Sequence, residues 1–335
     1  MNDPVLLNML VGGTCRLRCP FCSAWRKEFS QMSVKGWSKA FEELSDWLPG
    51  RRLVLSGGEP LRHPDMELIV RSAHEYGFPA GISTSGEPFD DDLVRSMATW
   101  PIAGLDLSID GLEATHDALR GRQGLFRRVL DAVDYLKCKR PELIVSTISV
   151  INAANVGELD ELTDFLIDKP QIDRVGFQAI VHIESAERLS KPTLLPLWPR
   201  QKQVEAFLSW LARRRETTSK IGNSRTQINL WRQYFQSPLG VFETLGSCHV
   251  RFYTLSIRPD GDITLCDRRR SVGNILDRSI REIWQSADAQ ALREEMGHCR
   301  IPCNHLINCS FEDYHLHLLS EDERTRYFQG KSEFQ

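Results

Sequence analysis

Short apolar runs and longer amphipathic stretches alternate along the first two-thirds of the chain, and the two patterns predict different elements. Val5–Val11, Leu53–Leu55, Ala80–Ser83, Leu105–Ile109, Leu143–Val150 and Val175–Ile180 read as six buried strands. Ser38–Leu48 sets Ala40, Phe41, Leu44, Trp47 and Leu48 on one helical face. Asp65–Tyr76, stopped by Gly77, and Leu93–Ala98, Phe126–Leu136 and Val156–Ile167 complete the helices between strands. Every strand but the last is clearly followed by a helix, so the fold class is α/β with parallel strands and right-handed crossovers. In such folds ligand-binding groups collect beyond the C-terminal ends of the strands.

Past Lys191 the rhythm breaks at Pro192, Pro196 and Pro199, which sets a boundary. Three regions follow: 1–190, a helical linker 191–247, and 248–335. The linker carries a helix near Gln203–Arg214. In the last region Phe252–Ile257 and Asp262–Cys266 flank the turn Pro259-Asp260-Gly261, a predicted hairpin. Ser279–Met296 is predicted as one helix opened by a capping box between Ser279 and Glu282.

Composition narrows the class. The 335 residues are 41% hydrophobic and 26% charged, as in a soluble globular protein, and no apolar run is long enough to span a membrane. A formal net charge of −3 gives no bulk electrostatic case for nucleic acid. Met1-Asn2-Asp3-Pro4 lacks the basic start of a signal peptide, so a cytoplasmic location is expected. There, nine cysteines point to metal ligands or reactive thiols rather than disulfides.

Eight of those cysteines fall in two clusters at opposite ends of the chain. Cys15, Cys19 and Cys22 form C-x3-C-x2-C directly after the first strand. Three thiolates on one short loop can hold three irons of a cubane and leave the fourth iron open to a ligand. The same loop alone also fits a zinc site short of a ligand. After the second strand comes Ser56-Gly57-Gly58-Glu59-Pro60, where two glycines permit close backbone approach and a carboxylate can take an ammonium group. Ser83 and Ser85 close the third strand, Ser108 and Asp110 the fourth, and Asn152 the fifth, all suited to ribose hydroxyls or equally to turns and caps.

In combination, the cysteine loop and the Gly57-Gly58-Glu59 motif resemble the radical SAM superfamily. The likeness covers roughly residues 5–180 and implies a partial (β/α)6 TIM-type barrel. It implies a 4Fe-4S cluster on Cys15, Cys19 and Cys22 whose open iron takes S-adenosylmethionine (SAM). It further implies that Gly57, Gly58 and Glu59 bind the methionine amino group and that Phe21 lies by the adenine. Ser83, Ser85, Ser108, Asp110 and Asn152 become SAM-contact candidates, and Arg120 a contact for the SAM carboxylate.

The second cluster, Cys248, Cys266, Cys299, Cys303 and Cys309, resembles the SPASM/twitch extension of that superfamily. Pro259-Asp260-Gly261, Gly273-Asn274-Ile275 and Ile280–Trp284 carry the likeness. It implies a small C-terminal iron–sulfur domain, hairpin plus helix. The spacing C-x3-C-x5-C departs from the full SPASM pattern, so one auxiliary 4Fe-4S cluster is expected. Cys248, Cys266 and Cys303 are its best ligands, with Cys309 taken ahead of Cys299 for the fourth place. Four cysteines fit a structural zinc equally well by spacing.

The resemblance implies reductive cleavage of SAM to a 5′-deoxyadenosyl radical and hydrogen-atom abstraction from a substrate. It also implies a low-potential electron donor such as flavodoxin or ferredoxin, and no nucleic-acid or membrane partner. Modification of a ribosomally made peptide is the leading reading. Dehydrogenation or epimerisation of a sugar, aminocyclitol or nucleoside is the alternative, and a non-catalytic iron–sulfur or zinc protein is the reading from another class. The first strand lies almost at the start of the chain, so no N-terminal leader-recognition module is expected, which weakens the peptide reading. Arg268, Arg269 and Arg270 would suit an acidic peptide or phosphate, or simply a solvated basic turn.

Overall fold

A computed structural model describes residues 3–308 apart from 5, 27–28, 182–190, 192–194, 249 and 253. Val5, Pro192 and Cys309 lie outside the described residues. One nine-stranded sheet runs in the order β6-β5-β4-β3-β2-β1-β7-β8-β9. Its first six strands, β1 (Leu6–Gly12), β2 (Leu53–Gly57), β3 (Ala80–Thr84), β4 (Gly104–Ser108), β5 (Ile144–Ile151) and β6 (Arg174–Ala179), pair in parallel with their sequence neighbours. The helices α1 (Val34–Trp47), α2 (Met66–Glu75), α3 (Asp91–Met97), α4 (Glu113–Arg120), α5 (Leu125–Lys139) and α6 (Leu159–Ile167) connect them. This is the partial TIM-type barrel that the alternation and the resemblance imply.

The strands are two-sided. Leu7, Met9, Val11, Leu53, Leu55, Ile82, Leu105, Leu107, Val145, Val175 and Phe177 are buried toward the helical layer. Phe177, for instance, packs edge-on against Phe207 of the helix Gln201–Arg214, with ring centroids 5.2 Å apart. The alternate positions Asn8, Ser56, Ser83, Asp106, Ser108 and Gln178 are half-buried on the opposite face, which is the barrel interior. In-register pairs such as Ser83 with Asp106 and Val150 with Gln178 keep that face consistent across the sheet.

Beyond Lys191 the hairpin β7 (Thr254–Ile257) and β8 (Asp262–Thr264) forms as predicted, and β7 pairs in parallel with β1. The hairpin therefore extends the barrel sheet from its first edge. A third strand, β9 (Gly273–Asn274), is too short to show an apolar pattern in the sequence. The single helix predicted over Ser279–Met296 is instead two helices, Ile280–Trp284 and Ala287–Gly297. Ser286 divides them because its hydroxyl accepts from the Ala289 N–H and caps the second helix, while the capping box at Ser279 and Glu282 opens the first. The helices Arg225–Gln236 and Asn304–Asn308 complete this part. Among the described residues no helix is long and apolar enough to cross a membrane.

The C-terminal part touches both edges of the open barrel. On the β1 side, Glu43 of α1 accepts from the Ile280 N–H at 2.7 Å and Trp47 packs against Trp284 at 6.3 Å. On the β6 side, Asn308 bonds the backbone of Ala179.

Candidate functional site

The cysteine loop leaves the C-terminal end of β1 and is laced to the end of β2. The Gly58 N–H donates to the Gly12 carbonyl at 2.6 Å and the Glu59 N–H to the Thr14 carbonyl at 2.8 Å. A Cβ on Gly58 would stand 2.5 Å from the Thr14 carbonyl oxygen, and one on Gly57, at φ +126°, 2.4 Å from that of Gly12. The two glycines therefore let β2 press against the root of the cysteine loop, a backbone approach that side chains forbid. The Glu59 carboxylate is buried and takes four donors: Thr84 Oγ1 at 2.6 Å, the Leu61 N–H at 3.2 Å, the Ser85 N–H at 2.9 Å and Ser85 Oγ at 2.5 Å. Its acceptor sites are thereby filled. Burial pushes its pKa up while those donors pull it down.

Arg120 joins three other residues singled out from the sequence. Its guanidinium pairs with Asp110, with Nε 2.6 Å from Oδ2, and its Nη1 lies 3.8 Å from Cys19 Sγ. Its Cζ stands 5.5 Å from the centroid of the Phe21 ring. Asp110 is fully buried and its Oδ1 accepts from the Val150 N–H at 2.8 Å. His116, which belongs to the same run after the fourth strand as Asp110 and Arg120, accepts at Nδ1 from the Asp110 N–H at 3.1 Å. Sequence reasoning missed Asn155, whose Nδ2 donates to the Asp110 carbonyl at 2.6 Å. Its place just beyond the end of β5 is the one signal that could have found it. Ser83 and Ser108 sit on the inner face, whereas Ser85 turns to Glu59. Asn152 is fully buried and its amide closes its own turn, donating to the Val150 carbonyl and accepting from the Ala154 N–H.

The three thiols of the loop are free and within electrostatic reach of one another. Burial pushes Cys15 up to about 11, and Glu59, Cys19 and Cys22 add to the rise. Cys19 is raised by burial and held back by Arg120. A second gathering comprises Cys248, Cys266, Cys299 and Cys303, in which Cys303 feels the other three. Burial pushes Cys248 up to about 11 and Cys303 up to about 12. Cys299, placed behind Cys309 by the spacing, thus stands with the group because the helix Ala287–Gly297 ends just before it. Cys138 is exposed on α5, away from both gatherings.

Among the described residues, no three His, Cys, Asp or Glu side chains are drawn to metal-ligand spacing. The donor chemistry nonetheless fits iron–sulfur centres. Three thiols in one loop and four in the second gathering supply the sulfur ligands such centres take, and burial holds Cys15, Cys19, Cys248, Cys266 and Cys303 above the ordinary thiol pKa, so a metal would bind them with release of protons. Of the three arginines after Cys266, Arg270 pairs with Glu295 at 2.7 Å.

A family model described as the radical SAM superfamily matches residues 9–166, and one described as an iron-sulfur cluster-binding domain, SPASM, matches residues 248–310. The Fe-coproporphyrin III synthase of Methanosarcina barkeri is 27% identical over 172 residues, 50% of this chain and 42% of that protein. The PqqA peptide cyclase of Rhizobium meliloti is 24% identical over 285 residues, 82% of this chain and 72% of that protein. SuiB of Streptococcus suis, solved bound to its precursor peptide SuiA, is similar in fold at a TM-score of 0.67 and 17% identity, over 87% of this chain and 66% of that one. The chain thus spans less than two-thirds of the synthase and of SuiB. The two family matches fall on the two gatherings of thiols, and on that ground the chain belongs to the radical SAM superfamily and carries a SPASM-type iron–sulfur region toward its C-terminal end.

Proposed function

We propose that the chain cleaves SAM reductively at the Cys15, Cys19 and Cys22 centre and removes a hydrogen atom from a peptide held in the barrel. The observation that carries this reading is the joining of Cys19, Phe21, Asp110 and Arg120 at the strand ends, one loop away from Gly57-Gly58-Glu59. Cys15, Cys19 and Cys22 would hold a 4Fe-4S cluster with one iron left open, and that cluster, when bound, would supply the one-electron reduction that SAM cleavage requires. The residues of this chain do the rest. Gly57 and Gly58 hold the cysteine loop against β2, and Glu59 ties that loop to β3 through Thr84 and Ser85. Arg120 keeps a positive charge beside Cys19 and the aromatic face of Phe21. Cys248, Cys266, Cys299 and Cys303 would hold an auxiliary cluster, with Cys309 as the further candidate.

Coverage favours a peptide substrate. The peptide cyclase relative matches across 82% of this chain, whereas the porphyrin-related synthase matches across 50%. The proposed setting is the cytoplasm, where thiols stay reduced and flavodoxin or ferredoxin supplies electrons; all the described cysteines are free.

The test uses deuterium-labelled cell extract, split into a protease-sensitive peptide fraction and a small-molecule fraction. Each is incubated with reconstituted protein, SAM and dithionite. Deuterium transferred to 5′-deoxyadenosine from the peptide fraction alone supports the proposal. Transfer from the small-molecule fraction alone overturns the peptide substrate. SAM left intact overturns the activity.

A further inference from the structure

β6 ends the barrel sheet, so the outer edge of its backbone has no strand beside it. Unpaired edge groups invite non-native pairing and leave the strand free to move. Here every outward-facing position is nevertheless paired. Val175 bonds the backbone at Lys220 and Gly222, at 2.8 and 3.0 Å. At Phe177, Asn223 Oδ1 accepts from the N–H at 2.7 Å and Nδ2 donates to the carbonyl at 3.1 Å. At Ala179, Asn308 does the same, at 2.8 and 2.9 Å. Two asparagine amides thus replace the missing strand. Both are buried, and Gln227 joins them, accepting from Asn223 Nδ2 and donating to the Asn308 carbonyl, each at 2.8 Å. Trp231 Nε1 donates to Asn308 Oδ1 at 3.1 Å.

The residue between the two clamps is Gln178. Phe177 faces Phe207 in the outer layer, so Gln178 faces the barrel interior. It pairs in register with Val150, whose N–H is held by Asp110, which places it level with the Asp110–Arg120 pair. Its half-buried amide has no hydrogen bond among the described residues.

Resting on the function proposed above, we infer that Gln178 contacts the molecule bound over the cysteine loop. Its amide reads a paired donor and acceptor, as a peptide bond or an adenine edge offers. Asn223 and Asn308 are positioning residues that fix the Gln178 backbone from both sides. Because Asn308 lies on the helix that follows Cys303, docking of the C-terminal region sets the aim of this amide.

Four readouts on reconstituted protein test this: amide exchange over Phe177–Ala179, the Kd for SAM by equilibrium dialysis, the KM for the protease-sensitive peptide fraction of cell extract used above, and 5′-deoxyadenosine formation. Gln178→Leu should leave exchange unchanged and weaken one binding constant about tenfold, the loss of one net hydrogen bond. A weaker SAM Kd assigns the adenine edge, and a raised KM for the peptide fraction assigns the peptide bond. Asn308→Asp, which loses the donor to the Ala179 carbonyl, should speed exchange about fivefold or more and weaken that same constant. Asn223→Asp provides the independent variant at Phe177. Unchanged binding in Gln178→Leu overturns the contact. Faster exchange with unchanged binding in both asparagine variants overturns the positioning role. A native protein that binds no SAM overturns the underlying function, and the exchange readout shows separately whether the clamp exists.

Discussion

Replacing Arg120 with methionine isolates the buried ion pair beneath the cysteine loop. The native guanidinium meets Asp110 Oδ2 at 2.6 Å, and both groups are buried. In Arg120→Met the Asp110 carboxylate keeps the Val150 N–H as a donor to Oδ1 but loses its only counter-charge among the described residues. An uncompensated buried charge costs about 3–5 kcal/mol. Loss of the contact between Arg120 and Phe21 adds about 0.5–1 kcal/mol. Adding Asp110→Asn to Arg120→Met removes the stranded charge while keeping an acceptor for Val150, so the double variant should return to within about 1–2 kcal/mol of native. The assay is anaerobic equilibrium unfolding in urea, fitted with a common m value. A single variant that loses under about 1 kcal/mol, as an exposed pair would, refutes the reasoning. So does a double variant no more stable than the single. In the metal-free chain, Arg120→Met should also slow alkylation of Cys19, because the neighbouring cation that favours its thiolate is gone.

Three more outcomes follow from the site. Gly58→Ala forces a Cβ to 2.5 Å from the Thr14 carbonyl oxygen, so it should lower stability by at least about 2 kcal/mol in urea unfolding and reduce the iron retained on desalting. His116 is fully buried, and burial, helped by the Arg120 charge, lowers its pKa to about 4 from an ordinary 6.5. Its contribution is therefore complete above pH 6.5 and is lost as pH falls toward about 4, up to about 3 kcal/mol, and His116→Asn should flatten that part of the stability–pH curve. The thiols of Cys15, Cys248 and Cys303, at about 11, 11 and 12, must release protons to bind metal, so apparent affinity for a probe ion such as cobalt should rise with pH; a pH-independent titration would contradict this.

Much of the barrel is legible in the sequence because its strands are buried on the helical side and read as short apolar runs. What escapes is set by contacts between distant segments. The two-residue strand β9 has no pattern to read, and the pairing of β7 with β1 joins residues such as Asn8 and Ser256 that only the tertiary fold brings together. Asn223 and Asn308 are polar residues with no local signal, yet they serve as a sheet edge for Phe177 and Ala179, 46 and 129 residues away. The cysteine loop and its glycine partners were readable because their chemistry is compressed into two short motifs. The standing of Cys299 was not readable, because gathering depends on where the helix Ala287–Gly297 stops. Ser286 shows the opposite case: a local capping signal was present, and the apolar periodicity on either side concealed it.

The most direct measurement is anaerobic reconstitution with iron and sulfide counted per chain, followed by SAM, dithionite and chromatography for 5′-deoxyadenosine. About eight irons per chain, two cubanes, together with 5′-deoxyadenosine formation that Cys19→Ala abolishes, is the expected result. Zinc in place of iron, or SAM left intact by a fully loaded protein, would contradict it.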